Sequence, residues 1–124
     1  MTAIWLLLAV FAAPPPPQTD PGARAFQRCA ACHSLRSNEE SAPRLGDVLG
    51  RRAGAVRSFA YSDAMEAAGQ RGLVWDAATL ERFLADPDAV VPGTTMPYQG
   101  GSAAERRALI DWLRRSSEAS RNRL

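Results

Sequence analysis

The chain has 124 residues, room for one domain of about 100 residues and little more. Basic and acidic residues number 15 and 13, a net charge of +2, and 46% of the chain is hydrophobic. That balance excludes a disordered polymer, and the absence of a basic stripe excludes a nucleic-acid binder. Every basic residue is arginine; there is no lysine. A domain of this size buries only about 60–70% of its unfolded surface, so its core is thin and an apolar cofactor would serve as core material.

In chain order, Met1–Ala13 is apolar and uncharged. Its run Ile4–Ala13 is shorter than the roughly 20 residues that span a bilayer. It suits the apolar region of a secretory signal, with Val10-Phe11-Ala12 as a cleavage region. The usual leading Lys or Arg is missing, so an uncleaved anchor or a misassigned start competes. Pro14-Pro15-Pro16-Pro17-Gln18-Thr19 reads as an extended spacer. The expected organisation is a signal or short hydrophobic segment at 1–13, a spacer at 14–19, a folded domain at 20–119 and a flexible tail at 120–124. Export to the periplasm is expected, either free or held at the N-terminus.

Asp20-Pro21 is a helix start, an acceptor at the cap and Pro in the first position, and that helix is expected to run into Cys29–Cys32. Ser34–Arg57 has no clean period and reads as loop. A short helix is expected over Ser62–Gly69. A clearer one covers Asp76–Ala85, where Leu80, Phe83 and Leu84 share a face. Asp86-Pro87 ends it, and Asp88–Gly101 is a second loop. Ser102-Ala103-Ala104-Glu105 is a capping box that opens the last helix, with Leu109, Ile110 and Leu113 as its stripe and Trp112 beside it. No segment reads as a strand. The expected fold is all-α, with about four helices and two long loops that need a shared surface to pack on.

Cys29-Ala30-Ala31-Cys32-His33 is the attachment sequence of a c-type haem. Two intervening residues place the thiols about one helical turn apart, suited to the two haem vinyl groups, and His33 falls beneath the iron. Three other readings compete. A structural zinc site needs four Cys or His ligands, but the chain holds two Cys and one His. A thioredoxin-like dithiol needs a strand–helix–strand setting. A disulfide is awkward between residues so close on one helix. For a sixth iron ligand there is no second His. Met65 sits in an expected helix, where Met usually fills core. Met96 sits in the stiff Pro92-Gly93-Thr94-Thr95-Met96-Pro97-Tyr98 loop and is favoured.

At these residues the sequence resembles the class I cytochromes c, over about Gly22–Arg115. Beyond the attachment motif, Pro43-Arg44-Leu45 is similar to the family's Pro-x-Leu, and Gly50-Arg51-Arg52-Ala53-Gly54 to its Gly-Arg-Lys-x-Gly loop. Phe59-Ala60-Tyr61-Ser62-Asp63-Ala64, Gly72-Leu73-Val74-Trp75 and Pro92-Gly93-Thr94-Thr95-Met96 resemble further family elements, in order. The resemblance implies one covalent haem c on Cys29 and Cys32, with His33 and Met96 as axial ligands. It implies that the Pro43 carbonyl orients His33, that Arg51, Tyr61, Trp75 and Thr94 bind the propionates, and that Gly22 and Phe26 cross the last helix at Leu109 and Trp112. This chain departs from mitochondrial members in having Phe83 for a Tyr and Met65 for an Asn, which implies a less hydrogen-bonded pocket. Asp88 and Ala89 replace two lysines of the docking face, leaving Arg28 and Arg36 as candidates there.

The function so implied is one-electron transfer, without enzymatic activity, by a monomer. A membrane cytochrome bc complex is the expected donor and a terminal oxidase or photosynthetic reaction centre the expected acceptor. Three alternatives are a haem enzyme with an open sixth site, either a peroxidase or a gas binder; a haem-free thiol oxidoreductase; and a dedicated donor subunit of one periplasmic enzyme.

Overall fold

The computed structural model describes residues 20–97 and 101–123. The expected leader 1–13, the spacer 14–19 and Tyr98 of the Met96 loop lie outside the described residues. Among the described residues there are five helices and no strand: α1 Pro21–Phe26, α2 Asp63–Gln70, α3 Ala77–Ala85, α4 Pro87–Val90 and α5 Ala103–Arg121. The all-α expectation holds.

Each helix begins where a side-chain oxygen replaces the missing backbone acceptor of the first turn. Asp20 accepts from the Gly22 N–H (2.8 Å), Ser62 from Met65 (3.2 Å), Asp76 from Thr79 (2.8 Å) and Ser102 from Glu105 (3.1 Å). The reciprocal capping box forms at Asp76, where Thr79 Oγ1 accepts from the Asp76 N–H (2.8 Å). At Ser102 only the first half forms; the Glu105 carboxylate instead faces Arg28 (3.4 Å).

Three boundaries differ from expectation. Regular helix α1 stops at Phe26, and residues 27–32 form tight turns. There the bonds alternate in length: Cys29 N–H and Ala30 N–H both reach the Phe26 carbonyl, and Cys32 N–H and His33 N–H both reach that of Cys29 (2.8–3.0 Å). The helix count is five because Asp86 both ends α3 and caps a new turn, accepting from the Ala89 N–H (3.4 Å), with Pro87 in its first position. Finally, α5 runs to Arg121, so residues 120 and 121 belong to the helix and not to the tail; Ser120 Oγ donates to the Ser116 carbonyl (3.1 Å).

The frame is the crossing of α1 and α5. They run antiparallel, with Asp20 against Arg115 (2.9 Å) at one end and Arg28 against Glu105 at the other. Phe26 and Trp112 meet at the crossing, ring centroids 5.0 Å apart. Gly22 is buried there, and a Cβ on it would collide with the Trp112 Cβ and the Ala108 carbonyl. α3 packs on α4 and α5, and Arg106 of α5 ties to Glu81 of α3 (2.8 Å). Ser117, the buried polar residue of α5, donates to the Gly46 carbonyl (2.7 Å) and so clips the first long loop to the frame. Phe26, Leu80, Phe83, Leu84, Leu109, Ile110 and Leu113 make the helical part of the core.

Because the colliding atoms are helix backbone and a Cβ fixed to it, Gly22→Ala meets no flexible side-chain end that could swing aside. It is expected to cost about 1–3 kcal/mol or more in unfolding free energy. The denaturant midpoint of the purified protein checks this, and an unchanged midpoint would show that the crossing tolerates separation.

Candidate functional site

Both long loops converge with α3 and α5 on one cavity of about 330 Å³. The tight turns after α1 supply Cys29, Cys32 and His33 to its wall. Cys29 is buried and Cys32 exposed, and they are not joined to each other. Burial raises the Cys29 thiol to about 11.

His33 Nδ1 lies 2.7 Å from the Pro43 carbonyl oxygen. A carbonyl only accepts, so Nδ1 carries the hydrogen and Nε2 keeps its lone pair. Burial lowers the pKa of His33, and the Arg51 charge acts the same way against the opposing pull of the Pro43 bond. The ring is therefore held neutral and in one tautomer, the form in which imidazole binds a metal. Two backbone bonds keep the two sides of this arrangement in register: Leu45 N–H to the Ser34 carbonyl (2.9 Å) and Gly46 N–H to that of Leu35 (2.8 Å).

Met96 is half-buried and lines the same cavity. Its loop is built from short bonds. Gly93 N–H donates to Asp88 (2.8 Å), Thr94 N–H to the Val91 carbonyl (3.0 Å) and Met96 N–H to Thr94 Oγ1 (3.3 Å). Gly93 has φ +82°, a conformation that side chains disfavour. Asp88 thus has a structural job in this loop. Met65 of α2 lines the cavity too, so both methionines weighed from the sequence are brought to one place.

The other expected residues also meet here. Arg51, Tyr61, Trp75 and Thr94 all line the cavity. A short antiparallel pairing not foreseen from the sequence sets two of them. Arg52 bridges Val74, Gly50 N–H reaches the Trp75 carbonyl (2.7 Å), and Trp75 N–H reaches that of Arg51 (2.9 Å). Arg51 and Trp75 are thereby opposite each other, with side chains on one face. Tyr61 Oη accepts from the Val56 N–H (3.2 Å), leaving its own O–H to donate. Arg51 Nη1 donates to the Arg44 carbonyl (2.9 Å) and to Asp47 (3.0 Å). Its Nε is buried without a partner. Burial lowers the Arg51 pKa while Tyr61 and Asp47 oppose that, and the guanidinium stays charged.

The remaining walls are apolar: Leu80, Phe83 and Leu84 from α3, and Leu109 and Leu113 from α5. Phe83 packs on Trp75 with centroids 5.0 Å apart. The donor set fits a flat apolar group with two anionic tails. Two thiols, a neutral imidazole and a thioether face the apolar space, and an orphaned guanidinium donor waits at one edge. Zinc is disfavoured: among the described residues no group of three His, Cys, Asp or Glu side chains is placed to hold a metal ion. The dithiol reading loses its strand–helix–strand setting, since no strand occurs among the described residues. Of the two docking candidates, Arg28 stands at the cavity rim, whereas Arg36 lines a separate cleft.

The comparisons agree with this geometry. The family model for cytochrome c matches residues 19–117. Cytochrome c2 iso-2 of Magnetospirillum fulvum is 39% identical over 92 residues, covering 73% of this chain and 93% of that one. Cytochrome c2 of Agrobacterium tumefaciens is 40% identical over 86 residues, covering 68% and 78%. Among solved structures, cytochrome cH from Methylobacterium extorquens superposes with a TM-score of 0.69 at 37% identity, covering 77% of this chain and 95% of that one. Ferricytochrome c2 from Rhodopseudomonas palustris gives 0.72 at 29% identity, with coverage of 77% and 95%. A neutral imidazole and a thioether facing one apolar cavity behind a Cys-Ala-Ala-Cys-His turn thus have the expected kin: this chain belongs to the cytochrome c family, electron carriers that hold one covalent haem c and are not enzymes.

Proposed function

We propose that the chain is an exported, monomeric one-electron carrier in which Cys29 and Cys32 hold haem c by two thioethers and His33 and Met96 bind its iron. The observation that carries the reading is the convergence of these four residues on one apolar cavity from two separate stretches of chain. When bound, the haem supplies the one-electron couple. The Pro43 carbonyl fixes the His33 ring so that Nε2 faces inward. The Met96 thioether, a soft ligand, favours the reduced iron and raises the potential. Arg51, Tyr61, Trp75 and Thr94 take the propionates, with Arg51 Nε as the donor that has no other partner. The α3 and α5 side chains keep water out, which limits rearrangement when charge changes. Phe83 and Met65 add no hydroxyl or amide to that pocket, in keeping with a drier site.

Cys32 marks the exposed edge through which electrons pass, with Arg28 beside it. The Arg28–Glu105 pair is about half exposed, 52% and 48%, so it adds little stability and leaves both charges open to a partner. Transient docking of this kind suits a shuttle between a cytochrome bc complex and a terminal oxidase or photosynthetic reaction centre in the periplasm. The apolar segment at 4–13 supports export. Among the described residues no helix is long and apolar enough to cross a membrane.

Absorption spectra of the exported, haem-loaded protein test the ligation. The wild type should show sharp reduced bands and a weak far-red sulfur–iron band when oxidised. Met96→Ala should lose that band and Met65→Leu should keep it. A high-spin wild type that binds carbon monoxide readily would defeat the carrier reading.

Arg51→Gln removes a positive charge beside the propionates and leaves the oxidised state relatively favoured. The midpoint should fall by some tens of millivolts, consistent with one charge acting through a partly screened medium. An unmoved midpoint in potentiometric titration takes Arg51 out of the propionate set.

A further inference from the structure

A second cleft, of about 260 Å³, lies between the loop segments at Leu35–Arg36 and Gly46 and the C-terminal half of α5. Three arginines, Arg36, Arg115 and Arg123, are among the residues that line it, and no Asp or Glu is. Arg115 is already engaged, with Asp20 at 2.9 Å and Asp111 at 3.4 Å. Among the described residues Arg36 and Arg123 make no ion pair. Two arginines without an ion-pair partner on one concave space match a doubly charged oxyanion better than a single carboxylate. Leu35 and Trp112 give the cleft an apolar side, and Ser116 and Ser120 a polar one. Those two hydroxyls now donate to carbonyls of their own helix, at 2.9 and 3.1 Å, and rotation of either frees a donor.

We propose that this cleft is a phosphate-type oxyanion site, formed by Arg36 and Arg123 and framed by Arg115. It is distinct from the haem cavity. Its loop wall is the pair of loop segments joined by the Ser34–Leu45 and Leu35–Gly46 bonds, the same pair that sets His33 against Pro43. The anion therefore binds against the back of the segment that orients the iron ligand. The chemistry is shared by free phosphate and by a phosphomonoester lipid headgroup.

The test uses reduced, haem-loaded protein. Backbone amide shifts are followed while inorganic phosphate replaces chloride at fixed ionic strength, and sedimentation with phosphatidic acid vesicles is measured in parallel. Saturable shifts at Arg36, Ser120 and Arg123, weakened roughly tenfold or more in the Arg36→Gln/Arg123→Gln double variant and unchanged in Arg57→Gln, support a site for the free anion. No phosphate response, but vesicle binding lost in the same double variant only, supports the headgroup. Linear shifts spread over all exposed arginines, or binding of either probe equal in the double variant, overturns the proposal.

Discussion

Two long loops without regular structure of their own share one apolar cavity, and the rest of the fold is arranged around the need to fill it. Most of the buried side chains of α3 and α5 face that space, and the loops reach it through isolated anchors: His33 on Pro43, Arg51 on Arg44 and Asp47, Gly46 on Ser117. None of these anchors is worth more than a few kcal/mol. A haem held covalently in the cavity, as proposed, would convert separate loops into one packed body. The same filling would explain how so short a chain obtains a core.

Much of this was legible because it depends on local chemistry. The cap residues Asp20, Ser62, Asp76 and Ser102 mark the helix starts through oxygens that the first turn requires. The Cys-Ala-Ala-Cys-His spacing is a property of five consecutive residues. The features that local pattern does not reveal are just as specific. Asp86-Pro87 has the same form as Asp20-Pro21, yet its pattern reads only as a stop, because one residue can end a helix and cap the next. The Arg52–Val74 bridge is too short to show alternation. The arginine cleft joins residues near the two ends of the folded domain, which no local pattern connects.

The site also shows how one residue type serves unlike ends. Without lysine, arginine takes every cationic role. Arg51 is nearly enclosed, its side chain 11% exposed, and its fork lets it satisfy a carbonyl and a carboxylate while one nitrogen remains for another anion. Arg106 uses the same fork to join α3 to the loop before α5. A lysine ammonium in either place would be a point charge without that geometry.

The antiparallel crossing of α1 and α5 has a topological consequence. Asp20 contacts Arg115, while Arg28 contacts Glu105, about three helical turns and roughly 15 Å away along α5. The stretch from Asp20 to Arg28 is thus gripped against α5 at both ends as well as at Gly22, so the direction in which the chain enters the Cys29–Cys32 turns is set by the crossing and not by the loop that follows.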